Sequence, residues 1–205
     1  MCAVKTVHYI NQFYGQIGGE EKAGVGPSAL DGANNLGKQI EKAFNGEISI
    51  VKTVICGDNY AAEHPEKIKN FVFQVIKDND AGFFIAGPSF AAGRYGMACG
   101  TLCPTAAVTP AMNEVSPGVD IAKRDVYVVK TSDSARDMKN ALAGMARIGT
   151  KLLKGERIGL PTEEGYYPRG IRVNIREEKR GARRAVDMLI AKATGKPYGI
   201  AHAHL

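Results

Sequence analysis

Short apolar runs alternate along this chain with segments in which apolar residues recur at helical spacing. The runs over 6–10, 48–55 and 83–86 are apolar almost throughout, as expected for strands that are covered on both faces. The segments over 32–44 and 68–77 place apolar residues three and four positions apart, which predicts amphipathic helices. This order predicts an α/β fold in three layers, with a mostly parallel sheet of about five strands and helices on both faces, of the Rossmann-like or flavodoxin-like type.

The same alternation continues past Gly87-Pro88, which ends the third strand. The further predicted elements are a helix over 94–102, short strands over 107–112 and 126–129, and a helix from Ser132 or Asp133 to Gly155. Beyond Gly155 the rhythm stops, and only an edge strand at 171–175 and a helix over 177–194 are predicted. We therefore predict an α/β domain over 1–155 and a C-terminal arm and helix over 156–205, packed on the domain or on a partner.

The composition is that of a globular protein, with 205 residues, 44% of them hydrophobic and 23% charged. No window approaches the roughly 18 uncharged apolar residues of a membrane span, and the N-terminus lacks the pattern of a signal peptide. We therefore expect a cytoplasmic protein with no membrane partner. Its four cysteines include no CxxC pair, so neither a zinc ribbon nor a thioredoxin-type site is indicated.

The formal net charge of +6 comes largely from a basic cluster between Arg169 and Arg184. Such a cluster could bind nucleic acid or an acidic partner, but no aromatic residues interleave as stacking platforms, so nucleic acid is not an expected partner. The string YYPRGIRVN at 166–174 is rich in aromatic and β-branched residues. We predict that it pairs its edge or buries its tyrosines against a second copy, giving a homo-oligomer.

Candidate chemistry lies in the loops that follow the strands, because ligands of such sheets bind outside the carboxyl ends of the strands. The loop after the first strand contains Asn11, Tyr14 and Gly18. The spacing of its glycines matches neither a dinucleotide-binding GxGxxG motif nor a Walker motif, so neither a dinucleotide nor a nucleoside triphosphate is indicated. These glycines could equally form only a tight turn.

The segment after the third strand offers a second set of candidates. Ser89, Arg94 and Tyr95, together with backbone amides at a helix start, would suit a small carboxylate or phosphate. In the alternative interpretation, the glycines of this segment permit close packing and Arg94 pairs with a surface carboxylate. Cys99 and Cys103 share a helical face and could be a redox pair, half of a soft-metal site or buried small residues. No metal is expected, because the four histidines are scattered along the chain.

Several long strings in this sequence resemble one known family. They are VHYINQFYGQIGGEEKA, VICGDNY, FFIAGPSFAAGRYGMACG, GYYPRGIRVN and KRGARRAVDML. Together they resemble the N-terminal half of the large subunit, component B, of the glycine, sarcosine and betaine reductases, a selenoprotein family. The resemblance is collinear and spans nearly the whole chain, with one departure at GVGPSALDG, where a loop richer in glycine and proline is expected.

The resemblance implies a role in the reductive cleavage of a C–N bond in small amines. It implies substrate binding by Asn11, Tyr14, Gly18, Ser89, Arg94 and Tyr95, with Arg94 contacting a carboxylate, and it makes Cys99 the one matched candidate for a catalytic thiol. No cofactor is expected in this chain, because the family's pyruvoyl group and selenocysteine belong to partner chains or to a second half. The implied partners are a pyruvoyl-bearing subunit and a small selenoprotein. The alternatives are a stand-alone binding domain for an amino acid or betaine and an interaction module without catalysis.

Overall fold

The computed structural model describes residues 3–103, 109–170 and 181–196, and the chain divides into two compact units, Met1–Ile171 and Arg172–Leu205. The strands are β1 Val4–Asn11, β2 Ser28–Asp31, β3 Ile48–Cys56, β4 Phe83–Ala86, β5 Ala111–Met112 and β6 Val129–Lys130. The helices of the first unit are α1 Asn35–Ala43, α2 Asp58–Glu63, α3 Pro65–Asp78, α4 Arg94–Leu102, α5 Gly118–Ala122, α6 Met138–Lys154 and α7 Pro161–Glu164. Helix α8, Gly181–Ala193, belongs to the second unit.

The main sheet has four strands in the order β2-β3-β1-β4. Strand β1 is parallel to both β3 and β4, whereas β2 runs antiparallel to β3 at the edge. A second, two-stranded sheet pairs β5 with β6 in parallel, and a parallel bridge between Phe90 and Met112 links the segment after β4 to β5. The chain therefore crosses from β1 to β3 on one side and returns to place β4 on the other side, so that the loops after β1 and β4 diverge.

Alternation along the strands sends apolar side chains to both faces of the sheet. Val7, Phe84 and Val54 belong to one buried cluster, which also contains residues of α3 and α4. Ile10 and Ile85 belong to a second cluster, which contains residues of α1 and α6. The sheet is thus covered by helices on both faces, and the predicted three-layer α/β class is confirmed.

Local sequence explains where the two helices of the second cluster begin or end. Asn34 caps α1, because its Oδ1 atom accepts a hydrogen bond of 2.8 Å from the backbone N–H of Gly37. At its carboxyl end α6 stops at Gly155, which has a left-handed φ of 64°. Lys151 and Lys154 in the last turn of α6 complement the negative end of the helix dipole.

His8 is a fully buried polar residue in the middle of β1. Its Nε2 atom donates a hydrogen bond of 2.9 Å to the carbonyl oxygen of Gly87, and Nδ1 has no hydrogen-bond partner among the described residues. Burial lowers the pKa of the imidazole to about 4, and the hydrogen bond to Gly87 opposes this effect only in part. His8 is therefore neutral at pH 7 and acts as a packed, hydrogen-bonded residue of the sheet.

Two elements lie where the sequence indicated only loop or turn. Strand β2 forms within the GVGPSALDG segment, because Ala29 and Leu30 pair with Val54 and Thr53 of β3. Helix α2 forms after the turn at Gly57. Both elements depend on partners distant in sequence, which local periodicity does not report. The predicted edge strand at 171–175 lies outside the described residues.

The first compact unit extends past the predicted domain boundary at residue 155. Glu164 is buried, pairs with Lys151 of α6, and accepts a hydrogen bond of 3.1 Å from the backbone N–H of Gly159. Tyr166 is also buried and forms a bridge with Val129 of β6. These contacts hold residues 156–170 against the α/β domain. Within the described ranges, no helix is long and apolar enough to cross a membrane.

Candidate functional site

A cleft of about 270 Å³ opens at the carboxyl ends of β1, β4 and β6. Loops after these three strands form its walls. The lining residues are Asn11, Phe13, Tyr14, Ser89, Phe90, Ala91, Ala92, Tyr95, Asp133 and Ala135. This is the position at which parallel α/β sheets bind their ligands, so the cleft is the candidate functional site of the first unit.

A tight turn after β1 positions the first wall. The Oδ1 atom of Asn11 accepts a hydrogen bond of 3.0 Å from the backbone N–H of Tyr14, and the Asn11 carbonyl oxygen accepts one of 2.8 Å from Gly15. A Cβ atom added to Gly15 would lie 2.7 Å from the Cγ2 atom of Ile55, so glycine is required for this close approach. The turn carries Phe13 and Tyr14 to the mouth of the cleft.

The buried carboxylate of Asp58 holds this turn in place through hydrogen bonds to Asn11 and Gln12. Its Oδ2 atom accepts hydrogen bonds of 3.0 Å from Asn11 and 3.4 Å from Gln12, and its backbone N–H donates one of 3.0 Å to Oε1 of Gln12. Asp58 is only 9% exposed. Burial raises the pKa of its carboxyl group, while the two amide hydrogen bonds and the charge of Arg94 work in the opposite direction. Asp58 therefore ties the β1 loop to the start of α2.

The second wall contains a residue in an unusual backbone conformation. Phe90 has a φ of 48°, in the left-handed region that non-glycine residues seldom adopt. Two hydrogen bonds hold this backbone: Ser89 donates to the carbonyl oxygen of Ala111 at 2.9 Å, and Asn113 donates to that of Phe90 at 3.0 Å. Strained residues of this kind cluster at binding and active sites, where the surrounding structure imposes them.

Glycines in the segment after β4 let α4 and α5 pack closely. A Cβ atom on Gly118 would lie 2.0 Å from the carbonyl oxygen of Gly96, and one on Gly100 would lie 2.7 Å from that of Gly118. Side chains at these positions would force the two helices apart. Gly96 and Gly100 of the AGRYGMACG string are thus explained by helix packing, without a ligand.

A row of aromatic rings runs from the core to the mouth of the cleft. The ring centroids of Tyr9 and Tyr95 are 6.1 Å apart, those of Tyr95 and Tyr14 are 5.9 Å apart, and those of Tyr14 and Phe13 are 5.7 Å apart. Phe13 is 67% exposed. The buried hydroxyls of Tyr9, Ser89 and Tyr95 have no hydrogen-bond partner among the described residues. Such groups are rare in folded proteins, and two of these three residues line the cleft.

The residues expected to bind substrate are distributed over two places. Asn11, Tyr14, Ser89 and Tyr95 line the cleft together. Gly18 and Arg94 are not among the lining residues. The guanidinium of Arg94 forms an ion pair of 2.5 Å with Glu20 and a hydrogen bond with Asn59, which is the pairing that the alternative interpretation of this residue predicts.

Cys99, the candidate catalytic thiol, lies behind the cleft and is fully buried. Burial raises the pKa of its thiol well above the ordinary value, and the nearby hydroxyls of Tyr95 and Ser89 oppose this effect without making hydrogen bonds of good geometry. The thiol of Cys103 donates to the Cys99 carbonyl oxygen at 2.8 Å, and its pKa is also raised by burial. Both are therefore neutral thiols at pH 7. No group of three or more potential metal ligands occurs among the described residues.

Sequence reasoning missed several residues of the site. Phe13 adjoins a residue that was selected, and its exposure among apolar neighbours could have marked it. Asp133 was predicted only as a helix cap, and its place in the cleft depends on where β6 lies. Asp58 and Gln12 are not among the residues predicted from the sequence to bind substrate. Their buried hydrogen bonds join residues far apart in sequence.

A larger groove, of about 490 Å³, lies between the end of α1 and α6 and is lined by charged residues. Lys154 pairs there with Glu47 at 2.7 Å, and Lys151 pairs with Glu164. These ion pairs already satisfy its lysines, and Glu164 serves to hold α7 in place. The groove therefore offers fewer free groups to a ligand than the cleft does.

Fold and cleft together define an α/β protein with a candidate binding site at the carboxyl edge of its sheet. A family model described as glycine/sarcosine/betaine reductase selenoprotein B matches residues 3–202. The chain belongs to this family.

Curated relatives carry names from all three branches of the family. The chain is 48% identical to the glycine reductase complex component B subunit gamma of Carboxydothermus hydrogenoformans, over 97% of this chain and 47% of that protein. It is 40% identical to the sarcosine reductase complex component B subunit beta of Peptoclostridium acidaminophilum, with the same coverage. It is 35% identical to the betaine reductase complex component B subunit beta of the same organism, over 95% of this chain and 46% of that protein. The chain thus spans about half the length of these relatives, and no solved structure matches it.

The buried cysteines lead to a test of Cys99 as a nucleophile. In a Cys2→Ser background, we expect Cys56, Cys99 and Cys103 of the native protein to resist a thiol-specific disulfide reagent, because they are buried and the pKa of each is raised. All three should react after unfolding in denaturant. Rapid labelling of one thiol in the native protein, abolished by Cys99→Ser, would contradict this and restore Cys99 as a reactive group.

Proposed function

We propose that this chain supplies a substrate-binding domain to an amine reductase complex that cleaves C–N bonds reductively. Its relatives are named as components of glycine, sarcosine and betaine reductase complexes. The observation that carries the proposal is the cleft, in which Asn11, Tyr14, Ser89 and Tyr95 meet from the loops after β1 and β4. These loops also contain the longest strings of resemblance to the family.

The proposal divides binding from bond cleavage. A pyruvoyl group and a selenocysteine are the reactive groups that we expect on partner chains or on a second half. The buried, neutral thiol of Cys99 supports a packing role for that residue in the described conformation. The described residues of this chain would bind and orient the amine, and no bond-breaking step is assigned to them. A cytoplasmic location is part of the proposal, because Cys56, Cys99 and Cys103 are free thiols.

Arg94 is proposed to bind the carboxylate of the substrate by exchanging partners. It directly precedes Tyr95, which lines the cleft. The side chains of Arg94 and Glu20 are 43% and 69% exposed, and an exposed ion pair contributes only about 0–1 kcal/mol. A ligand carboxylate can therefore replace Glu20 at low cost, while the guanidinium keeps its hydrogen bond to Asn59.

A pair of variants separates this role from a structural one. Arg94→Met should weaken the binding of glycine, sarcosine or betaine about ten- to hundredfold, because a charge-assisted contact of about 1.5–3 kcal/mol is lost. Glu20→Gln removes the competing carboxylate and should leave binding unchanged or tighten it. Calorimetric titration of both variants and the wild type measures these changes, and thermal unfolding verifies that each variant is folded.

The two variants break the same ion pair, and this makes the comparison decisive. If Arg94 serves only to hold Glu20 and Asn59, Arg94→Met and Glu20→Gln should have similar effects on affinity. Equal affinities for both variants would reject the carboxylate contact. The cleft would then be left to bind the amine without Arg94.

Assembly with partners is the second part of the proposal. We expect the purified chain to form a stable complex with the pyruvoyl-bearing subunit of an amine reductase, and light scattering after size exclusion measures its mass. Separate elution of the two proteins would favour a stand-alone binding domain. An interaction module is the other alternative, because Val186, Leu189 and Ile190 of α8 are exposed apolar residues.

The same measurement reports whether the chain associates with itself. Self-association stays a prediction, and its original basis has changed. The hydroxyl of Tyr166 donates to the Gly159 carbonyl oxygen at 3.0 Å, and that of Tyr167 donates to the Met112 carbonyl oxygen at 3.3 Å. These tyrosines are bonded within their own unit and need no second copy.

A further inference from the structure

The charges around the cleft favour a cation. Among the described residues that line it, Asp133 is the only ionisable acid, and none is lysine, arginine or histidine. Asp133 is exposed and forms no hydrogen bond or ion pair with a described residue. A second carboxylate, Asp58, lies directly behind Asn11 at a hydrogen-bond distance of 3.0 Å. The positive end of a small zwitterion is therefore the end that this cleft attracts.

The cleft is also rich in aromatic rings. Phe13, Tyr14, Phe90 and Tyr95 all line its wall, but only Phe13, which is 67% exposed, and the partly exposed Tyr14 offer ring surface to a ligand, because Phe90 and Tyr95 are buried behind them. The face of an aromatic ring carries partial negative charge and attracts cations within about 6 Å of its centroid. Accessible ring faces, such as those of Phe13 and Tyr14, are the groups with which proteins bind methylated ammonium groups.

Most hydrogen-bond acceptors around the cleft, in contrast, already accept hydrogen bonds from other groups of the chain. Asn11 Oδ1 accepts from the Tyr14 backbone, and the carbonyl oxygens of Tyr14, Ser89 and Phe90 accept from Asn34, Ala92 and Asn113. The hydroxyl oxygens of Ser89 and Tyr95 are fully buried. A primary ammonium group carries three N–H donors that leave water on binding. Among the described lining side chains, the Asp133 carboxylate is the charged acceptor that remains for them.

We propose that the cleft selects a methylated ammonium group, such as the trimethylammonium of betaine, over a primary ammonium. The inference rests on the proposed amine-binding role of the cleft and names the chemical class that it prefers. A trimethylammonium group has no N–H donors to satisfy and presents its charge to ring faces through its methyl groups. A primary ammonium group loses hydrogen bonds with water that the rings do not replace.

Calorimetric titration of the purified chain tests the preference with four probes. Betaine should bind more tightly than sarcosine, and sarcosine more tightly than glycine. The fourth probe, 3,3-dimethylbutanoate, has the shape of betaine with carbon in place of the charged nitrogen. It should bind at least about tenfold more weakly than betaine, because it lacks the attraction between cation and ring.

Variants locate the preference in the cleft. Phe13→Leu should weaken betaine binding several-fold to about tenfold while affecting glycine less, since it removes an aromatic face but keeps an apolar side chain. Asp133→Asn should weaken the binding of every cation. The matched control is Phe73→Leu on α3, because Phe73 is 54% exposed and does not line the cleft. It should bind all the probes as the wild type does.

The outcomes separate this inference from the proposed function. Equal affinities for glycine and betaine, or equal affinities for betaine and 3,3-dimethylbutanoate, would overturn the inference and leave an amine site in place. A further titration with tetramethylammonium separates the two claims: its binding without binding of any zwitterion would support the inference and reject the proposed substrates. If no probe binds, or if Phe13→Leu and Phe73→Leu behave alike, the aromatic cation site is rejected.

Discussion

Burial of β1 on both faces is the constraint on which the rest of this structure depends. The strand lies between β3 and β4, and its residues from Thr6 to Asn11 include no exposed side chain. A charged group in its middle would be costly, and His8 is neutral there because burial lowers its pKa to about 4. Groups that bind a ligand are therefore confined to the carboxyl end of the strand, where Asn11 begins the loop.

Asp58 holds the loop after β1 in place and so fixes one wall of the cleft. Its carboxyl group accepts hydrogen bonds of 3.0 Å from Asn11 and 3.4 Å from Gln12 of the β1 loop. They fix Asn11 and Gln12, and the turn that follows holds Tyr14 against Tyr95 of α4. Across the cleft, the imposed left-handed backbone of Phe90 sets the position of the second wall. The cleft is thus built by its supporting residues before any ligand arrives.

The sequence was sufficient to predict what depends on local pattern. Continuous apolar runs such as 83–86 identify buried parallel strands. Because ligands bind outside the carboxyl ends of such strands, the loops that follow them indicate Asn11, Tyr14, Ser89 and Tyr95, which line the cleft. The sequence was insufficient to predict elements and contacts that depend on the pairing of strands far apart along the chain. Strand β2 exists only because it pairs with β3, and Asp133 reaches the cleft only because β6 lies beside β5. The composition of 166–174 predicts that this segment pairs its edge or buries its tyrosines against a second copy, and it gives no sign that Tyr166 packs in the core of its own unit.

We favour the cleft over the groove between α1 and α6 as the binding site, because Asp133 of the cleft forms no ion pair with a described residue, whereas the lysines of the groove are paired with Glu47 and Glu164. Amide chemical-shift mapping of the isotope-labelled chain with betaine tests this choice most directly. We predict that the largest shifts occur at residues 11–15 and 89–95, around the cleft between β1 and β4. Shifts concentrated instead at 43–47 and 147–156, in the groove between α1 and α6, would contradict it.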